Sequence, residues 1–330
     1  MKNAILILVT LFIFPSCLQN NNPKSKKMSD LTSINYVETI LKTIKRYDYE
    51  PMYYLIFKQH SCLSEILVND IPVNKNFKEE SLGLTLDINQ FIFKSGTQKV
   101  TFRLYPAGKI GIRDFSTLVY DTEMKIEISE SDNNKRKQAG KIIATYATPT
   151  VVNRNVYEEK EFVGNKKKYY EASFTFEAKV PYEFNSLEDG QDLREWDQEK
   201  LEKKVVDFYK EQLRLLQEKK KEEYFSYLDL KEKETRQSLF FNKKELQEIL
   251  DSYLEAFIIP NFEMQPLENY KLKLYGEGRI VCLELTSNEP NMREKSALWA
   301  KFDEGDGLMA DFFKYYLYIP EGEYELEILR

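Results

Sequence analysis

The side chains that do chemistry are scarce in this chain, and their spacing is the first thing to weigh. Of 330 residues one is histidine, His60, and three are cysteine. A Ser-His-Asp or Cys-His nucleophile would therefore have to be assembled around His60. Cys62 stands two residues on, and residues two apart on a strand share a face, so a Cys62–His60 contact is open to the chain. A histidine packed at a strand end is the plainer reading. One His with Cys62 and Cys282 does not make a usual zinc set. Acids are abundant, 54 Asp and Glu against 48 Lys and Arg, and a carboxylate pair hydrolyses glycosides with no histidine at all. No spacing singles out such a pair. Asp303-Glu304-Gly305-Asp306-Gly307 offers hard oxygens and glycine turns, but it lacks the ligand register and closing Glu of a calcium loop. No glycine-rich phosphate loop occurs. The expectation is no catalytic residue, no metal and no cofactor.

Tyrosine is the positive signal. The 22 tyrosines cluster at Tyr53-Tyr54, Tyr169-Tyr170 and Tyr315-Tyr316-Tyr318. A rigid ring with a polar tip suits sugar stacking and protein interfaces, although core packing accounts for most such rings. In an adjacent pair on a strand, one ring faces the core and the other faces out.

The elements that must position these residues are mostly strands at first. From Tyr53 to about Val180, short runs with period-two alternation are separated by turn residues. Met52–Phe57, Ser64–Val68, Lys99–Tyr105, Glu123–Ile128, Lys141–Thr148 and Tyr169–Val180 follow that rule, and Leu82–Phe93 adds further apolar content. Asn69-Asp70 supplies a tight turn. About seven such strands predict a β-sandwich. The texture changes at Asn185–Gly190. Asp192 with Glu195 reads as a capping box opening a helix with Leu201, Val205, Phe208, Tyr209, Leu213 and Leu216 on its apolar stripe. The charge run Glu218–Glu223 reads as a face turned to water. Asn242 with Glu245 predicts a second capped helix, stapled by Phe241 and Leu246 and stopped near Pro260. Two hairpins follow: Tyr270–Tyr275 with Arg279–Leu285 around Gly276-Glu277-Gly278, and Phe312–Ile319 with Tyr324–Leu329 around Pro320-Glu321-Gly322. The fold class is therefore an N-terminal antiparallel β-sandwich, residues 31–184, followed by a helical segment and a C-terminal α+β domain with antiparallel hairpins, residues 185–330. Cys62 and Cys282 each sit in an apolar run; free thiols are the simpler state, with a disulfide left open.

Within residues 64–105, Glu65–Val73 followed by Ile88–Phe102 is similar to the galactose-binding-like jelly roll, with Asp70 where that pattern usually has Gly and Gln98 where it has Asn. The resemblance implies the architecture and the option of a sugar ligand, and no ligand residues are carried over from it.

The first 17 residues state an address. Lys2 is followed by an apolar run, Ala4–Phe14, too short to span a bilayer as a permanent helix, and then by Pro15-Ser16-Cys17. The segment resembles a bacterial lipoprotein signal, residues 1–17, in which Cys17 is the lipid attachment site; an ordinary cleaved signal or an N-terminal anchor helix is the alternative. Residues 18–30 carry no apolar periodicity and read as a disordered tether, with Lys24, Lys26 and Lys27 either near lipid headgroups or merely solubilising. In lipoproteins of this kind Asp after the cysteine marks inner-membrane retention. Leu18 at that position implies the outer membrane, periplasmic or surface face undecided.

The balanced charge, with a pI near 5.3, offers no basic stripe for nucleic acid. The expected function is an envelope lipoprotein that binds the bilayer through acylated Cys17 and a protein partner through its body, with immunity against a periplasmic toxin as the specific form. The alternatives are a glycan-binding accessory lipoprotein and a carboxylate-dependent envelope hydrolase.

Overall fold

The alternation over Glu123–Ile128 translates directly into burial: Met124, Ile126 and Ile128 are buried while Glu123 and Lys125 face solvent. The structure is a computed structural model that describes residues 29–330 except 111, 154–158, 304 and 306. A short helix α1 (Tyr36–Leu41) precedes β1 (Pro51–His60), β2 (Leu63–Val68), β3 (Ile71–Asn76), β4 (Leu82–Asp87) and β5 (Gly96–Tyr105). Next come the small pair β6 (Gly108–Ile110) and β7 (Arg113–Phe115), then β8 (Glu123–Asp132) and β9 (Lys141–Ala147). The pair β10 (Thr150–Asn153) and β11 (Glu159–Phe162) and the strand β12 (Tyr170–Ala178) complete this half. Two four-stranded antiparallel sheets, ordered β4-β1-β8-β9 and β12-β5-β2-β3, enclose one apolar core. Aromatic rings close the sandwich between β9 and β12, where Tyr146 and Phe174 stack at 5.4 Å. Asn69 and Asp70 both adopt positive φ, 51° and 61°, the conformation a tight hairpin demands and that Asn and Asp tolerate.

The C-terminal half opens with α2 (Gln198–Gln217), α3 (Lys221–Ser226), α4 (Asp229–Ser238) and α5 (Lys243–Ile258). It continues as β13 (Glu263–Met264), β14 (Tyr270–Tyr275), β15 (Ile280–Leu285), β16 (Trp299–Asp303), β17 (Leu308–Phe312), β18 (Leu317–Tyr318) and β19 (Glu327–Ile328). One sheet is ordered β14-β15-β18-β19 and a second β13-β16-β17. The capping box at Asn242 and Glu245 is formed as expected, and α5 stops at Ile258, two residues before Pro260. No helix among the described residues is long and apolar enough to cross a membrane.

The sheet containing β15 is shared by the two halves of the molecule. Along β15, Ile280 and Cys282 enter the sandwich core, whereas Val281 and Leu283 enter a second core built against the helices. Leu31, Tyr36, Val37 and Ile40 also pack in that second core, although they precede the sandwich in sequence. The alternation of Tyr315 and Tyr316 follows: Tyr315 joins the helical core and Tyr316 the sandwich core. The expectation that one ring of an adjacent pair faces solvent is overturned here, because both faces of this segment are covered.

The start of α2 also differs from the expected one. Asp192 caps only a single 3-10 turn, Leu193–Glu195, because Trp196 is extended (φ −75°, ψ 150°). Its indole is pinned against Tyr324 and donates to Gln191 Oε1 at 3.1 Å. The helix begins one turn later behind Asp197, whose carboxylate accepts from Lys200 N at 3.0 Å.

Candidate functional site

Glu65 sits on the outer face of the β12-β5-β2-β3 sheet, where a carboxylate without a partner would be costly. Strand register supplies the partners. Lys75 of β3 lies opposite Glu65, Glu65 opposite Arg103 of β5, and Arg103 opposite Glu171 of β12. Charge therefore alternates across four strands: Lys75 to Glu65 at 3.4 Å, Arg103 to Glu65 at 2.9 Å, and Arg103 to Glu171 at 2.8 Å. At its inner end the ladder crosses into the C-terminal half. Lys75 Nζ reaches Glu284 Oε1 at 2.7 Å and Glu294 Oε2 at 3.1 Å, and Lys271 holds the other oxygen of Glu294 at 2.7 Å. Tyr275 Oη donates to Glu284 Oε1 at 3.0 Å.

Burial favours the neutral amine, but the carboxylates of Glu284, Glu65 and Glu294 outweigh it and hold Lys75 above the ordinary lysine value. Burial likewise favours a neutral Glu294, yet Lys75 and Lys271 hold it at about 2. Three basic side chains (Lys75, Arg103, Lys271) thus meet four acidic ones (Glu65, Glu171, Glu284, Glu294), with Lys75 and Glu294 each held in the charged form.

The hollow beside this network measures 270 Å³, just under the range of roughly 300–1,000 Å³ usual for small-molecule pockets, so only a compact ligand fits. Asn74, Glu284, Lys314 and Tyr316 are among its lining residues. Glu284 is buried, and its Oε2 has no hydrogen-bond partner among the described residues; neither has Asn74 Nδ2. Buried polar atoms are normally satisfied, so these two call for a donor and an acceptor from outside the protein. Lys314 donates one proton to Pro72 O at 3.1 Å and keeps two N–H groups free of that contact. The residue as a whole is exposed, but crowding of protein atoms around its ammonium desolvates the charge and pushes it down to about 8, with Lys75 and Lys295 adding repulsion. Cys282 lies in the same wall, but burial and the charge of Glu284 push its thiol well above the ordinary value, so it is no nucleophile at neutral pH. A larger groove of 760 Å³ runs along the Asn69–Asp70 turn, but no buried, unpartnered polar atom is found among the residues lining it.

The residues singled out by sequence fall elsewhere. Cys17 and the tether up to residue 28 lie outside the described residues. Cys62 and Cys282 are buried free thiols. The Cys62 thiol meets backbone and not the imidazole of His60: Ser61 takes φ 53°, the chain reverses, and the thiol reaches Glu123 O at 3.8 Å and the His60 backbone, with burial pushing it up to about 12 against the lowering effect of the His60 backbone. His60 lies instead between Ser81 and Asp121. In the acidic loop, Asp303 Oδ1 accepts from Gly305 N at 2.7 Å, a local turn contact, and Glu304 and Asp306 lie outside the described residues.

Two carboxyl groups do share one cleft of 380 Å³, Asp87 and Glu245. Burial pushes Asp87 up to about 6. Both oxygens of Glu245 are committed, one to Arg136 at 2.6 Å and one to the Asn242 N–H at 2.8 Å, so it serves as helix cap and anchor.

Sequence reasoning missed Glu65, Lys75, Glu284, Glu294 and Lys314. The available signal was a lone acid inside each of two apolar strand runs, Glu65 and Glu284. No family model, no curated protein and no solved structure matches this chain.

Proposed function

We propose that this chain is a binding protein, tethered at the bacterial envelope through Cys17, whose ligand is a small zwitterion held in the cleft between the sandwich and the C-terminal sheet. The observation that carries the reading is Glu284 Oε2, buried and unpartnered beside a 270 Å³ cavity. The open acceptor at Glu284 Oε2 favours a ligand ammonium there. Lys314 and Lys295 on the same lining favour a ligand carboxylate or phosphate. The aromatic walls of Phe312, Tyr315 and Tyr316 suit a compact apolar body between the two charged ends.

Thermal-shift and calorimetric titration with a panel of amino acids and betaines, on the mature chain and on Glu284→Gln, tests the ligand. Saturable binding that weakens at least about tenfold in Glu284→Gln supports the reading. No shift with any zwitterion, or equal binding by the variant, overturns it. Metabolic labelling with a fatty acid, compared between wild type and Cys17→Ala, tests the tether separately.

A protein partner is the second reading, and one observation favours it. Among the described residues β17 is bonded on one side only, to β16, and presents Leu308 (72% exposed) and Met309 (40% exposed) at the sheet edge. An apolar edge without lysine or proline is a template for strand addition, the kind of surface a toxin-blocking or assembly role would use. Cross-linked capture that loses its partner on Met309→Lys supports this reading; capture unaffected by that change argues against it.

A further inference from the structure

The chain's single histidine is placed by three neighbouring strand ends of the β4-β1-β8-β9 sheet. His60 is the last residue of β1, Ser81 directly precedes β4, and Asp121 lies two residues before β8. Gln59 pairs with Leu82 and His60 with Glu123, so the register brings Ser81 and Asp121 to either side of the imidazole. Ser81 Oγ is 2.9 Å from His60 Nδ1, and Asp121 Oδ2 is 3.5 Å from His60 Nε2. The three side chains line one hollow of 330 Å³ together with the apolar Ala107, Phe115 and Val119 and with Glu80 and Tyr120. This hollow has no lining residue in common with the interdomain cleft.

We infer that Ser81, His60 and Asp121 form a second, independent site: a serine nucleophile that accepts acyl groups from small activated esters. Asp121 Oδ2 lies 3.5 Å from Nε2 and favours the tautomer with its proton there, which leaves Nδ1 as the base facing the Ser81 hydroxyl. Ser81 Oγ bonds to the ester carbonyl carbon as its proton passes to Nδ1. The carbonyl–oxygen bond to the leaving alcohol then breaks, and that alcohol takes the proton from His60, leaving acyl-Ser81. Water attacks the acyl carbon, His60 again carries the proton, and a carboxylic acid leaves with Ser81 restored. Ester and water are consumed, and acid and alcohol are formed. At 3.5 Å the Asp121 contact is longer than an ordinary N–H···O bond and gives the base little support, so good leaving groups such as phenols are the substrates that fit. Ala107, Phe115 and Val119 select a short hydrocarbon acyl chain.

The test treats the mature chain with a fluorophosphonate probe and with p-nitrophenyl acetate. The expected result is one covalent adduct, mapped by peptide mass to Ser81, and an acyl burst of one equivalent. His60→Asn should slow labelling at least about 100-fold, and Asp121→Asn should slow it by less. Ser81→Ala should abolish both readouts while the melting curve stays in place, because all three side chains lie at the surface. An adduct on any other residue, no adduct at all, or labelling indifferent to His60→Asn overturns the assignment.

Discussion

Lys75 Nζ lies 2.7 Å from Glu284 Oε1, and this contact joins two strands 209 residues apart. It is the point at which the charge ladder of the sandwich meets the C-terminal sheet. The first prediction follows from its burial: the side chains of Lys75 and Glu284 are 9% and 5% exposed. Removing one ion of a buried set leaves the others uncompensated, so Lys75→Met should cost about 3–5 kcal/mol. Arg103→Met should cost less, since the guanidinium is more exposed and Glu65 would keep Lys75. Urea midpoints of both variants check the ranking. Equal losses would mean that the network has no centre at Lys75.

Glu294 gives stability a dependence on acid. Its folded-state value is lowered from the usual 4.5 to about 2, with burial opposed and outweighed by Lys75 and Lys271. A depressed carboxyl stabilises the fold above the unfolded value and stops doing so as pH falls through the folded one. Unfolding free energy should therefore hold level in this term above about pH 5.5 and decline between about 4.5 and 2, by on the order of 3 kcal/mol. Glu294→Gln should flatten that part of the curve. Denaturant titrations at pH 7, 4.5 and 3 measure it, and an unchanged slope in the variant would sink the attribution.

The sandwich strands and the α5 cap were legible because each rests on contacts between neighbours in sequence. Met124, Ile126 and Ile128 show period two, and Asn242 with Glu245 shows a cap, before any tertiary contact is considered. The candidate site was not legible, for a physical reason. Glu65 and Glu284 stood out as lone acids, but their cation sits in Val73-Asn74-Lys75-Asn76, which shows no apolar alternation and so concealed the length of β3. Only the docking of two halves distant in sequence sets Lys75 among three carboxylates. The helix α4 was hidden in the same way: Asp229–Ser238 carries the composition of a solvated surface, yet Glu232 and Arg236 are buried as a pair at 2.8 Å. The Ser81–His60–Asp121 trio depends on strand register, which the sequence leaves open until the sheet order is known.

The start of α2 offers a local test. Asp197→Ala removes the carboxylate that accepts from Lys200 N and should cost about 1 kcal/mol. Asp192→Ala removes only the cap of one 3-10 turn and a solvent-facing pair with Arg194, so its effect should be smaller. Melting temperatures rank the two, and a larger loss at Asp192 would return the helix start to the earlier position.

Lys314 supplies the prediction closest to function. Its ammonium lies 4.6 Å from the centre of the Tyr316 ring and donates to Pro72 O. Desolvation of the ammonium lowers it from 10.5 to about 8, with Lys75 and Lys295 adding repulsion against the attraction of Cys282 and Glu284. An amine depressed in this way is largely unprotonated at pH 8.5, whereas an ordinary surface lysine is about 1% so. Limited reaction with acetic anhydride at pH 8.5, followed by peptide mass analysis, should therefore find Lys314 among the first lysines modified, and reaction at about pH 11, where ordinary lysines are largely unprotonated as well, should erase the preference. The same side chain is assigned to the anionic end of the ligand, so a zwitterion that binds the cleft should protect it. Protection that disappears in Glu284→Gln would show that one molecule spans both ends of the cavity. Early modification without protection by any bound zwitterion would keep the lowered basicity of Lys314 and remove it from the binding site.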